Sequence, residues 1–200
     1  MAFEYYSGSG NANAIINKLI EMWDFDSSDT TSSDHSATYG NAQIISGSNN
    51  LIVQTVRETT SGLAIFCSYT AFKIIKATNS IMVCIDYNGY YGAIIIGNLT
   101  NSDGQSSKGI FGHNAQSTEI ASIMGASAIQ SKIQFTPKTS DTLTQLVPMA
   151  APTFGDWYFE NGYRIEIATV SSTILNGTHG LYDIGGEKYY FAGNVAIKEE

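Results

Sequence analysis

The densest group of side chains that could do chemistry lies in the stretch DFDSSDTTSSDHSATYGNA, residues 24–42. Asp24, Asp26, Asp29, Asp34 and His35 fall close together there. Oxygen-rich loops hold hard cations such as calcium. An EF-hand loop beginning at Asp24 requires glycine at its sixth position and glutamate at its twelfth. Those positions hold Asp29 and His35, so that pattern is absent. A different calcium loop and a solvated stretch leaving a helix remain as readings.

The other candidates for chemistry are scattered. His35, His113 and His179 stand far apart in Gly/Asn/Ser-rich segments, without the close His/Cys spacing of a zinc site. No G-x-S-x-G elbow is present to raise a serine nucleophile. The stretch SGSGN lacks the Lys-Ser/Thr of a phosphate loop. Glu119, Asp156, Glu160 and Glu166 could supply a carboxylate pair for glycoside hydrolysis, but no spacing joins any two. Cys67 and Cys84 each sit inside an apolar run, which predicts two buried thiols; a disulfide between neighbouring strands is the other reading. Trp157, Tyr158 and Tyr163 surround an Asn-Gly pair in FGDWYFENGYR. They read as core residues, as an interface, or as a surface that stacks on glycans. The residues thus define no catalytic, cofactor or metal set, and the expectation is a protein that is not an enzyme.

Bulk properties narrow the class further. The chain has 200 residues, enough for one domain with a sizeable core. Charged residues make up 14%, well below the roughly 25% of ordinary soluble domains, and small polar residues fill the difference. That balance suits an all-β protein with many turns, and a surface partly covered by partners. The net charge of −8 with ten scattered Lys and Arg argues against nucleic-acid binding. No apolar run reaches the ~18 residues of a membrane helix. The first residues, MAFEYYSGSGNANA, lack the basic and apolar regions of a signal peptide, so synthesis in the cytoplasm is expected. The sequons at Asn98 and Asn176 are then coincidental.

The elements that must position these residues follow from hydrophobic period. Ala12, Ile15, Ile16, Leu19, Ile20 and Trp23 form the stripe of an amphipathic helix, with Asn11 as N-cap and SGSG as a flexible lead. Ile15, Ile16, Leu19 and Trp23 are the candidate assembly face. Residues 24–42 are expected to be an acidic polar loop, and 43–200 a β-sandwich or barrel-like body. Within it, 63–75, 80–87 and 91–97 are apolar on both faces, which predicts a core covered on both sides. Hairpins are expected at Asn88-Gly89 and Asn161-Gly162. A short second helix is expected in STEIASIMG, with Ile120, Ile123 and Met124 on one face and Gly125 ending it. IQSKIQFTP alternates, with Ile133 and Phe135 on one side. The closing stretch LYDIGGEKYYFAGNVAIKEE predicts a hairpin turning at Gly185-Gly186 and a last strand near residues 194–197, close to the first helix.

The two ends also carry a resemblance. SGSGNANAIINKLIEMW, through Ile16, Lys18, Leu19 and Trp23, resembles the opening of tailed-bacteriophage virion proteins, where a short polar lead enters a helix ahead of a β-rich body. YDIGGEKYYFAGNVAIKEE resembles the ending with which such proteins close their sheet. The "GWxV" strand that usually follows the helix in that family is missing, and the acidic loop stands in its place. The resemblance implies a non-enzymatic structural subunit of a virion or phage-derived contractile particle. Its partners would be copies of itself and other virion proteins. The alternative is a receptor- or glycan-binding β-sandwich.

Overall fold

A computed structural model describes residues 2–57, 62–87, 90–114, 119–124, 127–132, 146–150, 156–165, 179–192 and 195–199. In chain order the first elements are β1 (Glu4–Gly10), α1 (Ala12–Met22), β2 (Ser27–Asp29), β3 (Ser36–Tyr39), β4 (Ala42–Ser46), β5 (Asn50–Thr55), β6 (Leu63–Phe66), β7 (Thr70–Lys76) and β8 (Ser80–Tyr87). They are followed by β9 (Tyr90–Thr100), β10 (Ser106–His113), β11 (Glu119–Met124), β12 (Ser127–Lys132), β13 (Leu146–Ala150), β14 (Tyr158–Ile165), β15 (His179–Ile184), β16 (Glu187–Ala192) and β17 (Val195–Lys198). The protein is mainly β, as its composition and turn spacing predict. No helix among the described residues is long and apolar enough to cross a membrane.

The strands form two antiparallel sheets. A five-stranded meander runs β2-β3-β4-β5-β6. A twelve-stranded sheet runs β1-β7-β8-β9-β14-β17-β16-β15, with β10, β11 and β12 continuing from β9 and β13 added to β14. β9 serves three neighbours because it outruns β8. Ser80 pairs with Gly97, and β14 takes up pairing beyond it at Leu99 and Thr100. The chain from 63 to 75, which reads as one apolar run, divides between the sheets: β6 pairs with β5, and β7 pairs with β1 and β8.

Period-2 alternation assigns the central residues to two cores. Ile81, Val83 and Ile85 of β8 join Ile94 and Ile96 of β9 in one apolar cluster with the small sheet and α1. Met82 and Cys84, with Ala93 and Ile95, face the other way, into a cluster with Phe159, Tyr190, Val195 and Ile197. The large sheet therefore curls so that its C-terminal strands cover its own second face. This is why β8 and β9 carry almost no polar residues: both faces are dry.

α1 begins as its sequence predicts. The Asn11 side chain accepts a hydrogen bond from the Ala14 N–H at 3.1 Å, satisfying one of the orphan donors of the first turn. Ile15, Ile16 and Leu19 are fully buried against the small sheet and β7. Each such aliphatic contributes about 1.5–3 kcal/mol on burial. Trp23 turns to extended backbone and ends the helix. The stripe expected to face other subunits is thus the chain's own core, with Ile20 and Trp23 partly open.

Several sequence expectations change. SGSG is not a flexible lead but the second half of β1, paired from Ser7↔Lys73 to Gly10↔Thr70. Gly10 is there for space: a Cβ would come within 2.6 Å of the Ala14 Cβ. Residues 24–42 hold β2 and β3 rather than a structureless loop. The segment 119–124 is strand β11, not a helix; pairing to both β10 and β12 outweighs a weak helical period. Asn161-Gly162 makes no turn but lies inside β14, buried. The Gly185-Gly186 hairpin forms with φ of 65° and 87°, the left-handed backbone that such a turn demands. β17 then pairs with β16 and β14. This end packs beside β1, with Tyr5 and Tyr190 ring centroids 6.0 Å apart, on the face away from α1. The turns at Asn88-Gly89 and Gly125, and the residues Ile133, Phe135, Glu166 and Asn176, lie outside the described residues.

Candidate functional site

A cleft opens where α1 ends. Its volume is about 340 Å³. Trp23 and Asp24 supply one wall from the helix exit; Tyr39 of β3, Lys76 of β7, Asn98 of β9 and Lys108 of β10 supply the rest. Five elements therefore converge on it. Tyr39 is nearly buried and its hydroxyl donates to the Asn98 Oδ1 at 3.1 Å. Burial pushes the Tyr39 phenol above its ordinary value, and the nearby Lys108 ammonium opposes that shift. The Lys108 Nζ sits 4.8 Å from the Tyr39 ring centroid and pairs with the Asp26 carboxylate. Asp26 also accepts from the Gly40 N–H at 2.6 Å. Those two bonds hold the Asp26 carboxyl below the usual carboxylate range. Gly40 turns at φ 64°, and a Cβ there would meet the Lys108 Cβ at 2.9 Å, so the lysine stem lies across a glycine it needs. The Trp23 indole N–H is buried beside the Tyr39 phenol, without strict hydrogen-bond geometry to any acceptor among the described residues.

Two of the acidic residues that could have held a cation are used locally. Asp26 is committed to Lys108 and Gly40. Asp29 accepts from the Thr31 N–H at 2.8 Å and from the Ser32 hydroxyl at 2.6 Å, closing its own turn, and these bonds pull its carboxyl far down. The His35 ring lies 2.7 Å from the Asn17 Oδ1, which ties this segment to α1. Among the described residues no three metal-ligating side chains come together.

The histidines are not loop residues throughout. His113 ends β10, buried, and burial pushes its imidazole down to about 4. His179 begins β15 with its ring 3.1 Å from the Tyr190 hydroxyl. His179 also lines a recess of about 100 Å³ with Ser7, Lys73, Cys84 and Asp86. A working Cys–His pair requires a depressed thiol. Here burial pushes the Cys84 thiol up, and burial together with the Lys73 ammonium pushes the His179 imidazole down. Burial in the recess thus disfavours both the thiolate of Cys84 and the imidazolium of His179. Both cysteines are free and buried, as their apolar contexts predict.

The aromatic candidates lie on β14 or just before it. Trp157 packs on the second core, Tyr163 meets Tyr189 edge-on at 5.4 Å, and Tyr158 pairs at backbone level with Thr100. All three are partly buried. Asp156 accepts from the Ser102 N–H at 3.1 Å, which fixes the turn before β14. The sequence reading missed Tyr39, Lys76, Asn98 and Lys108, because residues from four separate strands carry no shared spacing. In comparisons with known proteins, no family model matches the chain, and neither a curated protein nor a solved structure matches it.

Proposed function

We propose that this chain is a non-enzymatic structural subunit of a bacteriophage virion or a phage-derived particle, acting by assembly with its own copies and other particle proteins. The observation that carries this reading is the meeting of the two ends. Phe3 and Tyr5, just ahead of the first segment that resembles virion proteins, touch the second such segment, although the two are far apart in sequence. The Phe3 N–H donates to the Glu199 side chain at 3.2 Å, Tyr5 meets Tyr190, and Lys188 pairs with Glu199 at 3.5 Å. The first and last described strands belong to one sheet, which suits a part held in a lattice. The low charge and the exposed Tyr5, Phe66, Tyr69 and Leu181 support a surface that partners cover.

The test is sedimentation of the full chain with electron microscopy of the same sample. The reading expects closed rings or larger ordered assemblies, alone or on addition of a particle lysate, with stable contacts of about 1,000 Å² or more. A chain that stays monomeric under both conditions, and is missing from purified particles by mass spectrometry, refutes it.

A further inference from the structure

We infer that the cleft at the end of α1 is a binding site for a neutral mono- or disaccharide, with Trp23 as its apolar wall. This inference does not depend on the assembly reading. Size is the first support: about 340 Å³ lies at the small end of the range of roughly 300–1,000 Å³ typical of small-molecule sites. The second support is the chemistry of the lining. A sugar ring has an apolar face of C–H groups and a rim of hydroxyls that both donate and accept. The cleft offers a partly open indole beside Asp24, an acceptor, and Asn98, Lys76 and Lys108, which donate. Tyr39 forms the floor rather than a stacking platform, because Lys108 already covers its ring.

Charge decides against an anionic ligand. Lys76 pairs with Glu4 at 3.3 Å, and Lys108 pairs with Asp26. Asp24 then adds a negative charge to the rim. An anion would have to break these pairs or face Asp24. Hydroxyls can share the same charged groups without separating them.

The experiment uses the full chain labelled with nitrogen-15. Its two tryptophans, Trp23 and Trp157, give two indole signals, and Trp23→Phe assigns them. Glucose, galactose, N-acetylglucosamine and maltose are titrated in turn, with N-acetylneuraminic acid as the anionic probe. The inference expects at least one neutral sugar to shift the Trp23 signal saturably in the millimolar range, with the Trp157 signal unmoved. Asp24→Ala, at an exposed position, should weaken that sugar about tenfold while the circular dichroism spectrum is unchanged. The inference is overturned if no neutral sugar moves Trp23, if only the anionic probe does, if Trp157 alone responds, or if Asp24→Ala leaves the affinity unchanged. None of these outcomes bears on sedimentation, so the assembly reading stands or falls separately.

Discussion

Leu19→Ala separates the two roles that the helix stripe could play. Leu19 is fully buried among α1, the small sheet and the first core of the large sheet. Truncating a leucine in such a place removes its transfer free energy and leaves a cavity, costing about 2–5 kcal/mol. Against a total stability of roughly 5–15 kcal/mol, that is a large fraction. With a urea slope of about 2–3 kcal/mol/M for a chain of this size, the midpoint should fall by about 1–2 M. The control is Glu21→Ala, at an exposed site on the same helix whose carboxylate only pairs with Lys18. An exposed pair of that kind adds little to stability, so its midpoint should barely move. Both variants are followed by circular dichroism in urea and by sedimentation in buffer. If Leu19→Ala unfolds like Glu21→Ala but loses an oligomer that the parent forms, the stripe is an assembly face and its assignment to the core is wrong.

Three further outcomes are expected. Gly186→Ala forces a side chain onto a backbone at φ 87° and should cost about 1–2 kcal/mol, read as a melting temperature lower by a few degrees. Cys67 and Cys84 should resist a thiol reagent in the native protein and react fully in denaturant, since burial pushes the Cys67 thiol up to about 12 and the Cys84 thiol up as well; rapid native labelling of either would contradict their placement. The His113 imidazole is lowered to about 4 by burial, against an ordinary value near 6.5. Its folded value is depressed, so its contribution is fully present above pH 6.5 and is lost as pH falls towards 4, on the order of 3 kcal/mol in all. His179, also lowered, acts in the same direction. Replacing His113 with Asn should flatten the pH dependence of urea midpoints between pH 6.5 and 4, and an unchanged slope would count against its burial.

What the sequence made legible depended on whether the deciding interaction was local. The N-cap at Asn11, the buried face of α1 and the Gly185-Gly186 hairpin each rest on residues within a few positions of one another, and each can be read from the chain. Strands 80–87 and 91–97 were legible as doubly buried because a dry environment on both faces removes alternation itself. The failures share the opposite cause. SGSG looks mobile in isolation, yet β7 supplies a pairing partner for each of its four residues from residues 70–73. STEIASIMG has a weak helical period, and two neighbouring strands override it. Asn161-Gly162 has the residues of a tight turn, but β14 pairs with β9 and then β17 along one side and with β13 along the other, and pairing on two sides leaves no room to reverse. The cleft was illegible for the same reason. Lys108 reaches Asp26 across most of a hundred residues of chain, and Tyr39 finds Asn98 only because both sheets share one core. A site assembled by the packing of two sheets has no signature along the chain, so its chemistry must be sought where the layers meet rather than where the motifs are.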